Sequence, residues 1–127
     1  MPESKEYIRS SDEKGSINIS EDVVAIIAAT AAMEVDGVYS LYYAHSKEIS
    51  HLIGRKGFAR GVKLTIDSDD VSIDAHIVVE LGCPVGEVGA AVQKSVMSAV
   101  EDAVGARVSA VNVHISGVAI KKGRPGQ

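Results

Sequence analysis

The sequence predicts a single α/β domain of the α+β type, in which one mixed β-sheet carries two long helices on one face. Two observations predict it. Several segments alternate apolar and polar residues, which is typical of strands with one buried face. Two longer segments show helical apolar spacing, and each lies between strands, so the predicted order is β-α-β-(short α)-β-β-α-β.

The chain begins with a polar segment and then a strand and a helix. Residues 1–14 carry little periodicity and indicate a flexible N-terminal arm. Residues 15–19 alternate as a strand. A helix over 20–34 comes next, because the hydroxyl of Ser20 can accept a free backbone N–H of the first turn. Its predicted inner face contains Val23, Val24, Ile27, Ala28 and Ala31.

A second strand and a glycine-rich segment come after this helix. Over residues 38–43 the alternation predicts one face with Val38, Ser40 and Tyr42 and another with Tyr39, Leu41 and Tyr43. Apolar spacing predicts a short helix near 46–53. Since Gly54, Gly57 and Gly61 interrupt the chain beyond that helix, we expect a mobile loop within 45–61.

The second half of the chain gives the clearest patterns. Residues 62–67 and 71–81 alternate as a hairpin with one buried and one wetter face. Helical spacing then predicts a helix over 85–104 that ends at Gly105, followed by a strand over 108–118. Residues 121–127 form a basic tail that we expect to be disordered, so the predicted folded domain spans 15–120.

The composition predicts a core of small and β-branched side chains. The 127 residues include 18 Val and 15 Ala but only four Tyr, one Phe and no Trp. An apolar content of 46% is too high for a long disordered protein. The scarcity of rings argues against a nucleic-acid reader built on stacking aromatics.

Charge and cysteine content predict a cytoplasmic protein. A formal net charge of −4 argues against binding driven by overall charge. The single cysteine, Cys83, cannot form an internal disulfide, which fits a reducing compartment. The apolar run from Val23 to Met33 is shorter than the ~20 residues that cross a bilayer, and the polar N-terminus lacks the pattern of a signal peptide.

The sequence around 39–63 predicts an interaction surface. Three of the five aromatic residues cluster at 39–43, and aromatic clusters often mark interfaces, although they can equally fill a sheet edge. Basic residues then concentrate in an otherwise acidic chain. The predicted surface contains Tyr39, Tyr42, Tyr43, Lys47, His51, Arg55, Lys56, Arg60 and Lys63.

Other motifs are weaker. The segment Gly54-Arg55-Lys56-Gly57 matches the GXXG loop of KH domains, which leaves a KH-like RNA-binding module as an alternative. The helix that must follow such a loop is missing, because the chain runs to Gly61 and a strand. His76 and His114 fall on the polar face of the sheet without a metal-ligand motif. We therefore expect no metal and no cofactor.

Catalytic motifs are absent as well. Cys83 precedes a helix N-terminus, but no local motif supplies a base for a reactive thiol. No phosphate-binding loop, nucleophile elbow or paired acid and base is present. The sequence therefore predicts a protein that is not an enzyme and has no catalytic residues.

Several phrases together resemble the alkaline shock protein family of Gram-positive bacteria. Each consists of a few residues, and their order and spacing carry the resemblance over roughly 15–120. The phrases are Gly15-Ser16-Ile17-Asn18-Ile19-Ser20, Asp36-Gly37-Val38, Gly61-Val62-Lys63-Leu64, Ile77-Val78-Val79-Glu80-Leu81-Gly82, Val92-Gln93-Lys94-Ser95-Val96 and Val111-Asn112-Val113-His114-Ile115-Ser116-Gly117-Val118. Departures occur at Gly82-Cys83-Pro84 and Ala103-Val104-Gly105.

The resemblance implies a non-enzymatic cytoplasmic protein of the cell-envelope stress response that acts through protein–protein interaction. It implies a protein partner, either a membrane-anchored protein that would recruit the chain to the inner face of the membrane or an enzyme of fatty-acid and lipid-precursor synthesis that the chain would regulate. We also expect a homo-oligomer, no direct membrane insertion and no nucleic acid as the main partner.

Overall fold

A computed structural model describes residues 7–42, 61–67 and 70–120. These residues form a two-stranded sheet, a mixed four-stranded sheet and two helices, which confirms the predicted class of a mixed sheet packed with helices. In chain order the elements are β1 (Tyr7–Asp12), β2 (Gly15–Ser20), α1 (Glu21–Met33), β3 (Val38–Leu41), β4 (Val62–Asp67), β5 (Asp70–Glu80), α2 (Val85–Val104) and β6 (Arg107–Ala119).

Strand β5 lies at the centre of the mixed sheet. Strand β6 pairs with it in parallel along its whole length, from Asp70 opposite Arg107 to Glu80 opposite Ala119. Strands β4 and β3 both pair with β5 in the antiparallel sense. Because β6 occupies one entire edge of β5, β4 and β3 share the other edge and form one edge strand in two pieces.

The two pieces of this edge strand meet at His76. The backbone N–H of Tyr42 donates to the carbonyl of His76 at 2.8 Å, and the N–H of His76 donates to the carbonyl of Gly61 at 2.8 Å. Tyr42 and Gly61 are therefore the ends of the two described pieces of this edge strand. The predicted helix at 46–53 and nearly all of the predicted loop 45–61 lie outside the described residues.

The core lies between one face of the sheet and both helices. Alternate residues of β5 are buried on this face, namely Val71, Ile73, Ala75, Ile77 and Val79. Helix α1 contributes mainly alanines, and α2 contributes Val88, Val92, Val96 and Val100. The helices approach closely enough for the hydroxyl of Ser95 to donate to the carbonyl of Ala31 at 3.2 Å. Small side chains thus bring both helices onto one face, as predicted.

The N-terminal arm is a correction to the sequence prediction. Residues expected to be a flexible arm form β1, which pairs with β2 from Tyr7 opposite Ser20 to Asp12 opposite Gly15. A side-chain hydrogen bond of 3.0 Å joins Arg9 Nε to Asn18 Oδ1 across the hairpin. Periodicity missed β1 because most of the described side chains of this hairpin are exposed on both faces, so the strand has no apolar alternation.

The inner face of α1 is also corrected. Val23, predicted to face the core, is 46% exposed, and Ile27 is only half-buried. The buried residues are Val24, Ala25, Ala28, Ala29, Ala31 and Ala32. The helix turns its alanines inward because they fit the narrow space between the sheet and α2, whereas the predicted stripe would have placed larger side chains there.

The alternation predicted for β3 is wrong after its first residue. Val38 and Leu41 are both buried, although alternation would place them on opposite faces. The register of β3 against β5 shifts between Val38 and Ser40, which marks a bulge. A bulge adds one residue to one strand and reverses the faces beyond it.

The second half of the chain agrees with the sequence prediction. The β4–β5 hairpin buries alternate residues on one face. Helix α2 has the predicted bounds, and Gly105 ends it in the left-handed conformation at φ 73°. Strand β6 is one residue longer at each end than predicted.

Gly37 supplies a test of the close packing between α2 and the start of β3. Its φ is +100°, and a Cβ built on it would stand 2.6 Å from Val88 Cγ2. Gly37→Ala combines backbone strain with overpacking, so we expect it to lower the free energy of unfolding by about 2 kcal/mol or more. Urea unfolding followed by circular dichroism measures the change.

The control is Gly89→Ala in α2, where an added Cβ meets nothing within 4 Å. Alanine is the better helix former, so this variant should be as stable as the parent or up to about 1 kcal/mol more stable. Equal stability of the two alanine variants would contradict the packing described for Gly37.

Candidate functional site

One face of the mixed sheet points away from both helices, and no described helix or strand covers it. This surface, called the open face here, is formed by the alternate residues that the core does not use. It contains Tyr42, Lys63, Thr65, Ser72, Asp74, His76, Val78, Asn112, His114 and Ser116.

A pair of stacked histidines occupies the middle of the open face. The parallel register of β5 and β6 sets His76 directly opposite His114, so both side chains project from the same side of the sheet. Their ring centroids are 4.4 Å apart, and the planes differ by 14°. The sheet therefore holds two imidazoles face to face at its surface.

Neighbouring polar groups fix the orientation of this pair. Nε2 of His114 lies 3.0 Å from Oδ1 of Asp74, and the same carboxylate is hydrogen-bonded by the side chain of Asn112. On the other ring, Nδ1 of His76 lies 3.5 Å from the hydroxyl of Ser116. These contacts connect β5 with β6 through side chains as well as through the backbone.

The surroundings of the open face lower the pKa values of Asp74 and His76. The hydrogen bond from His114 is the main cause that holds the pKa of Asp74 below its ordinary value, and the bond from Asn112 adds to it against the opposing effect of burial. Partial burial is the main cause that lowers the pKa of His76. The positive charges of His114 and Lys63 lower it further, and Asp74 opposes them.

The structure places three residues of the predicted interaction surface. Tyr39 and Tyr42 are 52% and 41% exposed, so neither belongs to the buried core. The ring of Tyr42 lies over Gly117, since its Cδ1 would be 3.9 Å from a Cβ at that glycine. Lys63 lies on the open face opposite Asp74. The other predicted residues lie outside the described part of the chain, namely Tyr43, Lys47, His51, Arg55, Lys56 and Arg60.

A concave feature lies on the helix side of the sheet. A groove of about 800 Å³ runs between the end of α1 and the first half of α2, with Gly37, Cys83 and Val88 in its lining. Lys94 and Glu87 stand among the apolar residues that line it. Cys83 is partly buried there, and its N–H donates to the carbonyl of Glu80 at 3.1 Å.

Residues 7–42, 61–67 and 70–120 contain neither a candidate metal site nor a candidate membrane-spanning helix. Within them, no three side chains of His, Cys, Asp or Glu are grouped so that they could hold a metal ion. No helix in these ranges has the length and apolar character needed to cross a membrane. The segment Gly54–Gly57, which raised the KH-like alternative, lies outside the ranges.

Sequence reasoning found the two histidines but not their contact. Alternation placed both on the polar face, which the structure confirms. Their stacking depends on the register of two strands that are separated by all of α2. Spacing along the chain does not set that register, because the helix and its loops take up the intervening length.

The pKa of His76 predicts a pH dependence of stability. Because folding lowers this pKa, the unfolded chain binds the proton first as the pH falls, so the free energy of unfolding should decrease below about pH 6.5. His76→Gln should flatten the dependence between pH 7.5 and 5. The carboxyl of Asp74 contributes only at lower pH, since its own pKa is lowered.

Lys63→Gln provides a graded comparison for this measurement. Removing the lysine's charge should raise the pKa of His76 and reduce the slope without abolishing it. Urea unfolding at a series of pH values measures the free energy of unfolding of the parent and of both variants. A His76→Gln variant with the parent's slope would show that this histidine does not control the acid sensitivity.

Comparison with solved structures gives only weak similarity. A variant of the MamM CTD aligns with a TM-score of 0.47 and 18% identity, over 80% of this chain and 95% of that chain. A second MamM CTD variant also aligns with a TM-score of 0.47, at 16% identity over 80% of this chain and 98% of that one. Similarity at this level carries no argument about function.

Comparison with known sequences is more informative. The protein Spy1535 of Streptococcus pyogenes serotype M6 is 34% identical over 109 residues, which are 85% of this chain and 82% of that protein. YqhY of Bacillus subtilis strain 168 is 29% identical over 104 residues, 82% of this chain and 77% of that protein. YloU of the same strain is 29% identical over 108 residues, 84% of this chain and 90% of that protein.

The match to a family is broader still and confirms the resemblance seen in the sequence. Residues 9–120 match the profile of a family described as having a cell envelope-related function. The match includes most of β1, which the predicted domain of 15–120 had left out. The chain belongs to the alkaline shock protein 23 family.

Proposed function

We propose that the chain is a non-catalytic binding module of the cell envelope that docks a protein partner on its open face. The observation that carries the proposal is the ordered polar network on a sheet face that no described element covers. The contact of 3.0 Å between Asp74 and His114 and the stacked rings of His76 and His114 are its centre.

Preorganisation supports a binding role for this network. Side chains that are already held in place lose little conformational freedom when a partner docks, which leaves more of the interaction energy as affinity. The rings of His76 and His114 are held by each other and by hydrogen bonds to Asp74 and Ser116. The open face therefore offers fixed donors and acceptors.

Tyr42 adds an aromatic contact at the border of the network. Its exposed ring lies over Gly117 and beside Val78, so an apolar patch adjoins the polar groups. Interfaces commonly combine a buried aromatic anchor with surrounding polar contacts. The surface is broad and made of strands, which suits a protein better than a small ligand, for which an enclosed pocket is usual.

The sequence prediction for the segment 43–60 bears on the same surface. The residues that flank it, Tyr42 and Gly61, are both bonded to the backbone of His76, beside the stacked rings. We propose that the basic residues of this segment contribute to partner binding, as the sequence predicts. The expected homo-oligomer stays a prediction, as does recruitment to the inner face of the membrane from the cytoplasm.

A double variant of the open face tests the proposal. Tyr42→Ser with His114→Ala removes the aromatic contact and breaks the network at exposed positions. We expect capture of the partner from a lysate of the host bacterium to fall by about tenfold or more, equivalent to about 1.4 kcal/mol of binding. Quantitative mass spectrometry of the captured proteins measures the loss.

The matched control is Arg9→Ala with Asn18→Ala in the β1–β2 hairpin. This pair is also exposed and joined at 3.0 Å, so its loss is chemically similar but lies on the other sheet. The control should retain the partner, and urea unfolding should show that both double variants stay folded. Undiminished capture by the open-face variant would reject the proposed surface.

The identity of the captured protein decides between the two partner classes that the resemblance implies. A membrane-anchored protein would support a role at the envelope by recruitment. An enzyme of fatty-acid or lipid-precursor synthesis would support the regulatory alternative. Either partner class is compatible with docking on the open face. The open-face and control double variants report where the partner docks, and mass spectrometry reports which protein it is.

A further inference from the structure

The outer edge of β6 is covered by helix α2 over only part of its length. The carboxylate of Glu101 accepts from the backbone N–H of Val108 at 2.9 Å. The side-chain amide of Gln93 donates to the carbonyl of Val111 at 3.1 Å. Side chains of α2 thus supply hydrogen-bond partners to the first part of this edge.

These two contacts establish which residues of β6 direct their peptide groups away from β5. Val108 and Val111 do so, whereas Ala119 faces β5, because its carbonyl accepts from the N–H of Leu81 at 2.9 Å. Peptide groups alternate sides along a strand, and the register of β6 against β5 shifts twice. The shift between Val71 and Ser72 lets both Val108 and Val111 face outward, and the second shift lies between Ile77 and Val78. The outward positions beyond Val111 are therefore Val113, Ile115 and Val118.

No described strand, helix or side chain pairs with this edge from Val113 to Ala119. Apolar side chains are exposed along it and just after it, with Ile115 at 38%, Val118 at 53% and Ile120 at 68%. Proteins usually protect a free edge with charges, bulges or a covering element, because unpaired N–H and C=O groups can bond to another strand. Here apolar residues accompany the unpaired groups.

The distribution of charge indicates what kind of strand fits. All 17 acidic residues of the chain precede residue 103, whereas Arg107, His114, Lys121, Lys122 and Arg124 lie after it. A second copy pairing through the same edge would bring together two copies of this basic part of the sequence, which like-charge repulsion disfavours. A strand that carries acidic residues is electrostatically complementary.

We propose that β6, from Val113 to Ala119, accepts an extended acidic segment of another protein as an additional strand of the mixed sheet. Alternate residues of the added strand lie on opposite faces. Its apolar residues pack on the helix side beside Ile115 and Val118, and its acidic residues lie on the open-face side beside His114. The inference deepens the proposed function and rests on the chain being a protein-binding module.

A pair of seven-residue peptides tests the edge directly. One alternates Val with Glu and the other alternates Val with Lys, and each is titrated into the full chain labelled with ¹⁵N. The Glu peptide should bind saturably, with amide shifts greatest at Val113, Ile115 and Val118. The Lys peptide should bind at least about tenfold more weakly. Added salt should lower the affinity of the Glu peptide, because it screens the charges.

Substitutions on the edge complete the test. Ile115→Pro removes one outward N–H, which the β5 ladder does not use, and should abolish binding of the Glu peptide. Since proline can unfold a strand, Ile115→Glu is the second variant. Its carboxylate would meet the peptide's valines in place of an apolar side chain and should weaken binding about tenfold. Ile17→Glu on β2 is the control, because Ile17 is also exposed in a strand and should leave binding unchanged.

Four results would overturn the proposal. They are no binding of the Glu peptide, equal binding of both peptides, shifts confined to Asp74, His76 and His114, or a dimer in sedimentation that Ile115→Glu dissociates. The last result would assign the edge to a second copy of this chain. Failure here leaves the capture experiment on the open face unaffected, so the two proposals fail separately.

Discussion

The backbone pairing of strand β5 is the constraint on which the rest of the structure depends. Every other strand of the mixed sheet bonds to it, and β6 does so over its full length. The alternation of its side chains then divides the molecule. Residues such as Ile73 and Ile77 anchor the core with both helices, while Asp74 and His76 between them face the other way. One strand thereby specifies both the buried side and the exposed network.

Small side chains make this division possible. Alanines on α1 and valines on α2 let both helices lie on the same face, and Gly37 leaves the space that Val88 fills. Because both helices are used on one side, the opposite face stays uncovered by any described element. The same arrangement leaves part of the β6 edge without a partner in the described ranges, since the side chains of Gln93 and Glu101 reach only its first half. The proposed binding surfaces are thus consequences of how the core is packed.

Sequence patterns predicted the helices and strands that are determined by residues close together in the chain. The bounds of α2 came from its valine spacing and from Gly105, and the hairpin of β4 and β5 came from strict alternation. Strand β1 was not predicted, because its hairpin is mostly exposed and carries no apolar pattern. The inner face of α1 and the bulge in β3 depend on what packs against them. The contact of His76 with His114 depends on a register across α2, which spacing along the chain does not fix.

Residue-resolved amide hydrogen exchange in the free protein tests the central claim most directly, namely that β6 is paired with β5 on its inner side and has no partner among the described residues on its outer edge beyond Val111. Inward amides of β6 are bonded to β5 and should exchange slowly, whereas the outward amides beyond Val111 should exchange at least about 100-fold faster. The inward set is Asn112, His114 and Gly117, and the outward set is Val113, Ile115 and Val118. Equal protection of both sets would contradict the account, because it would mean that the edge is already paired in the free protein.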